Sequence, residues 1–223
     1  MQTASRTRAA LPVVVALVAA LAVLGGCQKR GSGVAMTEER RLPALHAIEV
    51  GGAVVLTVRV QADAAATLVQ VSGDDDVVPK LKTDVQDGRL IIRNESARTP
   101  NLPLALSLTV NSLDEMRISG AAKGAVTGLG GGPLRLRLRG AGDLQLSGRC
   151  AHLDVEISGA GHINADKLMA ESARVRLSGA GDIDVRTTGK LDADVSGAGS
   201  IRYAGPPASV TRRVSGVGSI EPR

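Results

Sequence analysis

The 223-residue sequence has no phenylalanine, no tryptophan and a single tyrosine, Tyr203. Without aromatic faces there is nothing on which nucleic-acid bases would stack, and the rings that usually floor a sugar-processing cleft are missing too. An interior must therefore be built from valine, leucine, isoleucine and alanine, which suits a thin stack of strands. Cysteine occurs only at Cys27 and Cys150, too few for a disulfide framework. The three histidines, His46, His152 and His162, have no metal-ligand spacing with one another or with Cys150 and read as solvated or structural. No glycine-rich stretch leads into a helix carrying Lys-Ser or Lys-Thr, which removes the phosphate-loop enzymes. The one long apolar run, Ala9–Leu24, has about 16 residues, short of the roughly 20 that cross a bilayer.

What the sequence has in quantity is glycine, 27 residues of it, much of it in one repeated phrase. Ser158-Gly159-Ala160-Gly161, Ser178-Gly179-Ala180-Gly181 and Ser196-Gly197-Ala198-Gly199 are the clearest copies. Ser119-Gly120-Ala121-Ala122, Arg139-Gly140-Ala141-Gly142 and Ser215-Gly216-Val217-Gly218 are variants. The first glycine falls at 120, 140, 159, 179, 197 and 216, a period of 18 to 20 residues that signals a solenoid. Apolar and polar residues alternate on both sides of the phrase, as in Leu153-Asp154-Val155-Glu156-Ile157 and Asp182-Ile183-Asp184-Val185, so each unit reads as strand, tight corner, strand and second turn. No unit buries its apolar face alone, and stacking must supply the core. Three small residues in a row are expected at a corner crowded by the rungs above and below, or in a backbone that glycine adopts cheaply. The structural corner residues are accordingly Gly120, Gly140, Gly142, Gly159, Gly161, Gly179, Gly181, Gly197, Gly199, Gly216 and Gly218.

Aligning the units on that glycine also exposes a charge pattern. Three residues before it stand Arg117, Arg137, Glu156, Arg176, Asp194 and Arg213; five before it stand Glu115, Arg135, Asp154, Arg174, Asp192 and Thr211. In parallel, in-register strands these become columns in which sign alternates almost throughout, so acids are expected between arginines. Such a face is already neutralised and is a poor track for a polyanion.

Upstream of the repeats the chain changes character. Arg6 and Arg8 precede the apolar run, and Leu24-Gly25-Gly26-Cys27 follows it, so residues 1–26 read as a secretory signal. The pattern resembles a bacterial lipobox, which implies acylation of Cys27 as the mature N-terminus. Gln28 in place of Asp points to the outer membrane. Residues 27–42, with Gly31-Ser32-Gly33 and mixed charges, read as a flexible tether. Residues 43–112 read as a less regular β-rich part: strands over Val54–Val60, Thr67–Val71, Arg89–Arg93 and Leu104–Val110, a helical turn near Val77–Leu81 favoured by Asp74-Asp75-Asp76, and a loop over Asn94–Pro103. The regular rungs are expected over 113–223.

The early strand pair, the Asp87-Gly88-Arg89-Leu90-Ile91-Ile92 element, the serial Ser-Gly-Ala-Gly phrases and the ending Ser200-Ile201-Arg202-Tyr203-Ala204-Gly205-Pro206-Pro207 together resemble the auto-transporter adhesin family, head GIN domain, over about residues 43–223. The resemblance implies an all-β, right-handed parallel β-helix, and it supplies no catalytic residues to carry over.

Candidate chemistry is sparse. The acids Asp143, Asp154, Glu156, Asp166, Asp182, Asp184, Asp192 and Asp194 are the richest set, and some parallel β-helices cleave polysaccharides with acids on one face. Gly140–Asp143 and Gly179–Asp182 faintly resemble the phrase of calcium-binding β-rolls, but those repeat about every nine residues. Cys150 reads as a small buried hydrophobe. The serines of the phrase, copied from rung to rung, read as a hydroxyl ladder and not as nucleophiles. The resulting expectation is a non-enzymatic envelope lipoprotein, without catalytic residues, metal or cofactor. It would be attached to the membrane through Cys27 and bind an envelope glycan or protein but no nucleic acid. A carbohydrate-active or calcium-dependent envelope enzyme is the alternative.

Overall fold

The computed structural model describes residues 29–223, which are all-β and wound into a solenoid. In chain order the strands begin with β1 (Ala35–Leu42), β2 (Ala47–Val50), β3 (Ala53–Val60) and β4 (Thr67–Asp74). A 3₁₀ turn over Val78–Lys80 separates β4 from β5 (Leu81–Gln86), and β6 (Arg89–Asn94) and β7 (Ala105–Val110) follow. The regular region comprises β8 (Glu115–Ile118), β9 (Ala121–Gly131), β10 (Leu134–Leu138), β11 (Ala141–Ile157) and β12 (Ala160–Leu177). It ends with β13 (Ala180–Thr187), β14 (Lys190–Val195), β15 (Ala198–Ala204), β16 (Ser209–Val214) and β17 (Val217–Pro222). The signal segment 1–26 and Cys27 lie outside the described residues.

Parallel pairing joins each strand to the one a single turn later. On one side β8, β10, the end of β11, the end of β12, β14 and β16 stack; on the other β9, the start of β11, the start of β12, β13, β15 and β17 stack. Inward residues form apolar columns. Leu144, Ile163, Ile183, Ile201 and Ile220 make one, and Ile118, Leu138, Ile157, Leu177 and Val195 another, nearly all of them fully buried. At roughly 1.5–3 kcal/mol per fully buried branched side chain, these columns stabilise the stack although no single rung has a core.

The corner is set by close backbone approach. A Cβ on Gly179 would lie 1.8 Å from the carbonyl oxygen of Gly159, and one on Gly159 would lie 1.9 Å from that of Gly140. The alanine of the phrase differs: Ala121, Ala141, Ala160, Ala180 and Ala198 are all exposed, and the equivalent Val217 is 84% exposed. The expectation of three crowded residues is thus corrected to crowded glycines flanking an outward-facing alanine.

The solenoid begins before residue 113. Strand β2 pairs in parallel with β8, and β3 with β9, so Gly51-Gly52 forms a corner directly beneath Ser119-Gly120. Outside this rung lies β6–β7, parallel to β2 and β3, and outside that β4 and β5 run antiparallel to β7 and β6. Strand β1 completes the end by pairing antiparallel with β4 from Ala35↔Asp74 to Leu42↔Thr67. The tether expected over 27–42 is therefore corrected for residues 29–42. Their backbone bonds go to β4 and to Thr99, and Arg40 donates to the carbonyls of Leu81 at 2.6 Å and Val78 at 3.2 Å. Mixed charge made the segment look solvated, whereas its partners lie 25 to 70 residues away in sequence.

Candidate functional site

The outward face of β3, β9 and β11 is floored by small residues, since Ala53, Ala121 and Ala141 occupy one in-register column. With so little side chain there, the surface is hollow. The segment Thr99–Leu104 stands over it and converts the hollow into an open groove of about 640 Å³. Val55, Pro100, Leu102 and Pro103 give the groove apolar walls, and Lys123 and Asp143, paired in register, mark its polar edge.

The overhanging wall is held by a single buried carboxylate. Asp74 accepts hydrogen bonds from the backbone N–H groups of Gly33 (2.8 Å), Asn101 (2.8 Å) and Leu102 (3.2 Å). Burial opposes its ionisation, but these three donors outweigh that cost and hold its carboxyl below the usual carboxylate range. Its neighbours act on the same two segments: Asp75 accepts from Ser32 Oγ at 2.5 Å, and Asp76 lies 3.2 Å from Arg98. Asn101 Nδ2 donates to the Gly31 carbonyl at 2.6 Å, and Thr99 exchanges backbone bonds with Lys29 and Gly31. The three aspartates, read from sequence as favouring a helix N-terminus, tie residues 29–34 to the groove wall. The nearby 3₁₀ turn carries no acid in its first turn.

The structure distributes the acids along the outer faces and gives most of them cationic partners. Asp154 lies 3.5 Å from Arg135, Glu156 3.3 Å from Arg137, and Asp192 3.6 Å from Arg174 and 3.0 Å from Arg213. Asp184, a buried carboxylate, receives Arg202 at 2.7 and 3.2 Å and faces His162 at 3.5 Å. Asp166 pairs with Arg223, and Asp182 accepts from the hydroxyl and backbone N–H of Ser200. The Ser200 hydroxyl chiefly, against a desolvation cost, keeps Asp182 below its ordinary pKa. Asp143 and Asp182, the pair behind the calcium alternative, stand two rungs apart with His162 between them. Among the described residues no three potential metal ligands converge. His152 bonds Ser172 at 2.9 Å, and His46 packs over Gly88. Cys150 is buried, and burial together with the charge of Glu171 pushes its thiol up to about 11. Sequence reasoning missed the groove, whose one legible sign was a run of alanine at outward positions beside a proline-flanked loop.

The family model described as "putative auto-transporter adhesin, head GIN domain" matches residues 44–207. The chain belongs to this family. A crystal structure of a "putative adhesin" from Bacteroides fragilis NCTC 9343 is similar at TM-score 0.67 and 22% identity, covering 87% of this chain and 99% of that one. One of a "putative adhesin" from Parabacteroides merdae ATCC 43184 gives 0.52 at 18% identity, covering 87% and 98%. A "putative lipid binding protein" from Parabacteroides distasonis ATCC 8503 gives 0.51 at 22%, covering 87% and 98%. At these identities the likenesses concern the fold. None of the curated proteins matches the chain.

Proposed function

We propose that this GIN-domain protein is an exported, lipid-anchored and non-enzymatic binding module of the cell envelope, adhesin-like in role, tethered through Cys27 to the outer membrane. The groove of Ala53, Ala121, Ala141 and the Thr99–Leu104 wall is the observation that carries the reading. It is an apolar concavity large enough for a docked segment or glycan chain, and it carries no cluster of converging acids. The acids elsewhere are mostly engaged with arginines, which leaves little of the acid pair that sugar cleavage requires.

The anchor bears on the same end of the molecule. Lys29 is already bonded through its carbonyl to Thr99, and Cys27 precedes it by two residues, a reach of at most about 7 Å. Acylated Cys27 would therefore hold the groove wall close to the lipid surface. Fractionation of cells carrying Cys27→Ser tests the anchor. The variant is expected in the soluble fraction or with its signal retained, and continued membrane partition or fatty-acid labelling would refute it. A screen of envelope glycans and proteins against the wild type and Ala121→Trp, which fills the groove floor, tests the binding surface. Equal binding by both would remove the groove from the function.

A further inference from the structure

Like charges stand side by side at only one place in the two charge columns. In register, Glu49 stands beside Arg117 and Glu156 beside Arg137, but Arg117 and Arg137 are themselves neighbours on β8 and β10. Like charges opposed across a strand pair repel. A third arginine adds to the excess. Arg139 occupies the corner position that is Ser119 in the rung before and Ser158, Ser178, Ser196 and Ser215 in the rungs after.

These two departures from the repeat converge on one concavity. Arg117, Arg137 and Arg139, with Ser119 and Glu49, border a pocket of about 220 Å³. The protein satisfies the three guanidinium groups only in part. Arg117 donates through Nε to Glu115 at 2.7 Å, and Arg137 brings its Nε within 3.3 Å of Glu156. Among the described residues neither makes a hydrogen bond through its Nη groups, and the Arg139 side chain makes no hydrogen bond or ion pair, its backbone N–H alone donating to the Ile118 carbonyl. Ser119 already donates its hydroxyl to the Val50 carbonyl at 3.2 Å, so the arginines are the unspent donors.

We propose that this pocket binds a single oxyanion of the phosphate- or sulfate-monoester type, borne by an acidic envelope glycan. A guanidinium fork matches two oxygens of such a group, and three cations around it convert a repulsive cluster into a bridged one. Glu49 on one side and Glu156 on the other close the positive stretch, so the site fits one charged group and not a continuous polyanion. The proposal deepens the binding reading above and rests on it only for the glycan as the source of the anion.

The test is calorimetric titration of the full-length protein in neutral detergent at constant ionic strength, with inorganic phosphate, glucose 6-phosphate, galactose 6-sulfate and glucose. Saturable binding of the anions, none of glucose, and an affinity about tenfold weaker or less in Arg139→Ser are expected. That variant restores the serine of the other rungs and so keeps the fold. Arg176→Ser, from the same column outside the pocket, serves as the control and is expected to bind within about twofold of wild type. A sugar ester binding at least about tenfold more tightly than inorganic phosphate supports the glycan source, and equal affinity overturns it in favour of the free ion. No saturable anion binding, or binding unchanged in Arg139→Ser, overturns the site. The titration reads the pocket directly, so loss of anchoring or of groove binding in the earlier experiments leaves it unaffected.

Discussion

Replacing Gly179 by alanine and, separately, Ala180 by leucine separates crowding from mere smallness at the corner. The added Cβ at Gly179 would lie 1.8 Å from the Gly159 oxygen, where ordinary contact begins near 3.4 Å, so the two rungs must part locally by about 1.6 Å. That displacement strains the bonds joining them there: Ala180 N–H to Gly159 O at 3.0 Å, Ser178 N–H to Ile157 O at 2.8 Å and Gly179 N–H to Ile157 O at 3.2 Å. Overfilling costs roughly 1–3 kcal/mol, and each weakened bond roughly 0.5–1.5 kcal/mol. A loss of about 3 kcal/mol or more follows, which lowers Tm by roughly 6–12 °C in a domain of this size. Leucine at the exposed Ala180 stays within about 0.5 kcal/mol, or roughly 2 °C. The last rung already carries a branched residue, Val217, at that position. Thermal unfolding followed by far-UV circular dichroism measures both variants. A Gly179→Ala protein melting within about 2 °C of wild type, or an Ala180→Leu protein losing as much as Gly179→Ala, would refute the assignment of crowding to the glycine.

Two further predictions concern charge. Asp74 has a folded pKa below its ordinary value, so its contribution is present above an unfolded carboxylate pKa of about 4 and is lost as pH falls through the lower folded value. Hydrogen exchange, referred to intrinsic rates, should show the Gly33, Asn101 and Leu102 amides protected at about pH 5 and opening well below about pH 4. Asp74→Ala should open them at neutral pH, and equal protection in variant and wild type would contradict the role given to this carboxylate. In the ladder, Glu156 stands between Arg137 and Arg176 in register, but its ion pair is with Arg137 at 3.3 Å. A double-mutant cycle at low salt should give a coupling of about 0.2–1 kcal/mol for Glu156 with Arg137 and less with Arg176. A larger coupling to Arg176 would show that the side chains lean the other way.

Much of the regular stack was legible because glycine fixes it twice, in spacing and in register. The columns Glu115–Arg135–Asp154–Arg174–Asp192 and Arg137–Glu156–Arg176–Asp194–Arg213 follow from aligning first glycines, and the strand pairing places them so. The join at the N-terminal end was not legible. Gly51-Gly52-Ala53 is a corner with its serine lost, and its partner Gly120 lies nearly seventy residues on, beyond an excursion that turns strand direction over at β4 and β5. Periodicity has no hold on such an excursion. The groove escaped for a related reason: its floor is an outward alanine column, and its wall depends on hydrogen bonds that Asp74 accepts from residues 27 and 28 positions away. Each part looked ordinary in sequence.

The two ends of the described solenoid bear on why the proposed binding surfaces lie on its flanks. At one end the reversed strands β4 and β5 stop parallel stacking, and β1 pairs along β4 on its outer side. At the other, the inward column Met116, Leu136, Val155, Val175, Ala193 reaches Arg212 in the last described rung. A charge there opposes the addition of another apolar rung. Arg212 is not left bare, since its guanidinium stacks 5.1 Å from the ring centre of Tyr203 and donates to the tyrosine hydroxyl. The sequence's one aromatic residue thus serves as the plate on which a terminal cation rests. Pro222 on β17 withholds one more donor from that edge. With stacking opposed at both ends, the proposed recognition surfaces fall to the lateral faces, where an alanine column leaves room for the groove and a break in the charge alternation gathers three arginines.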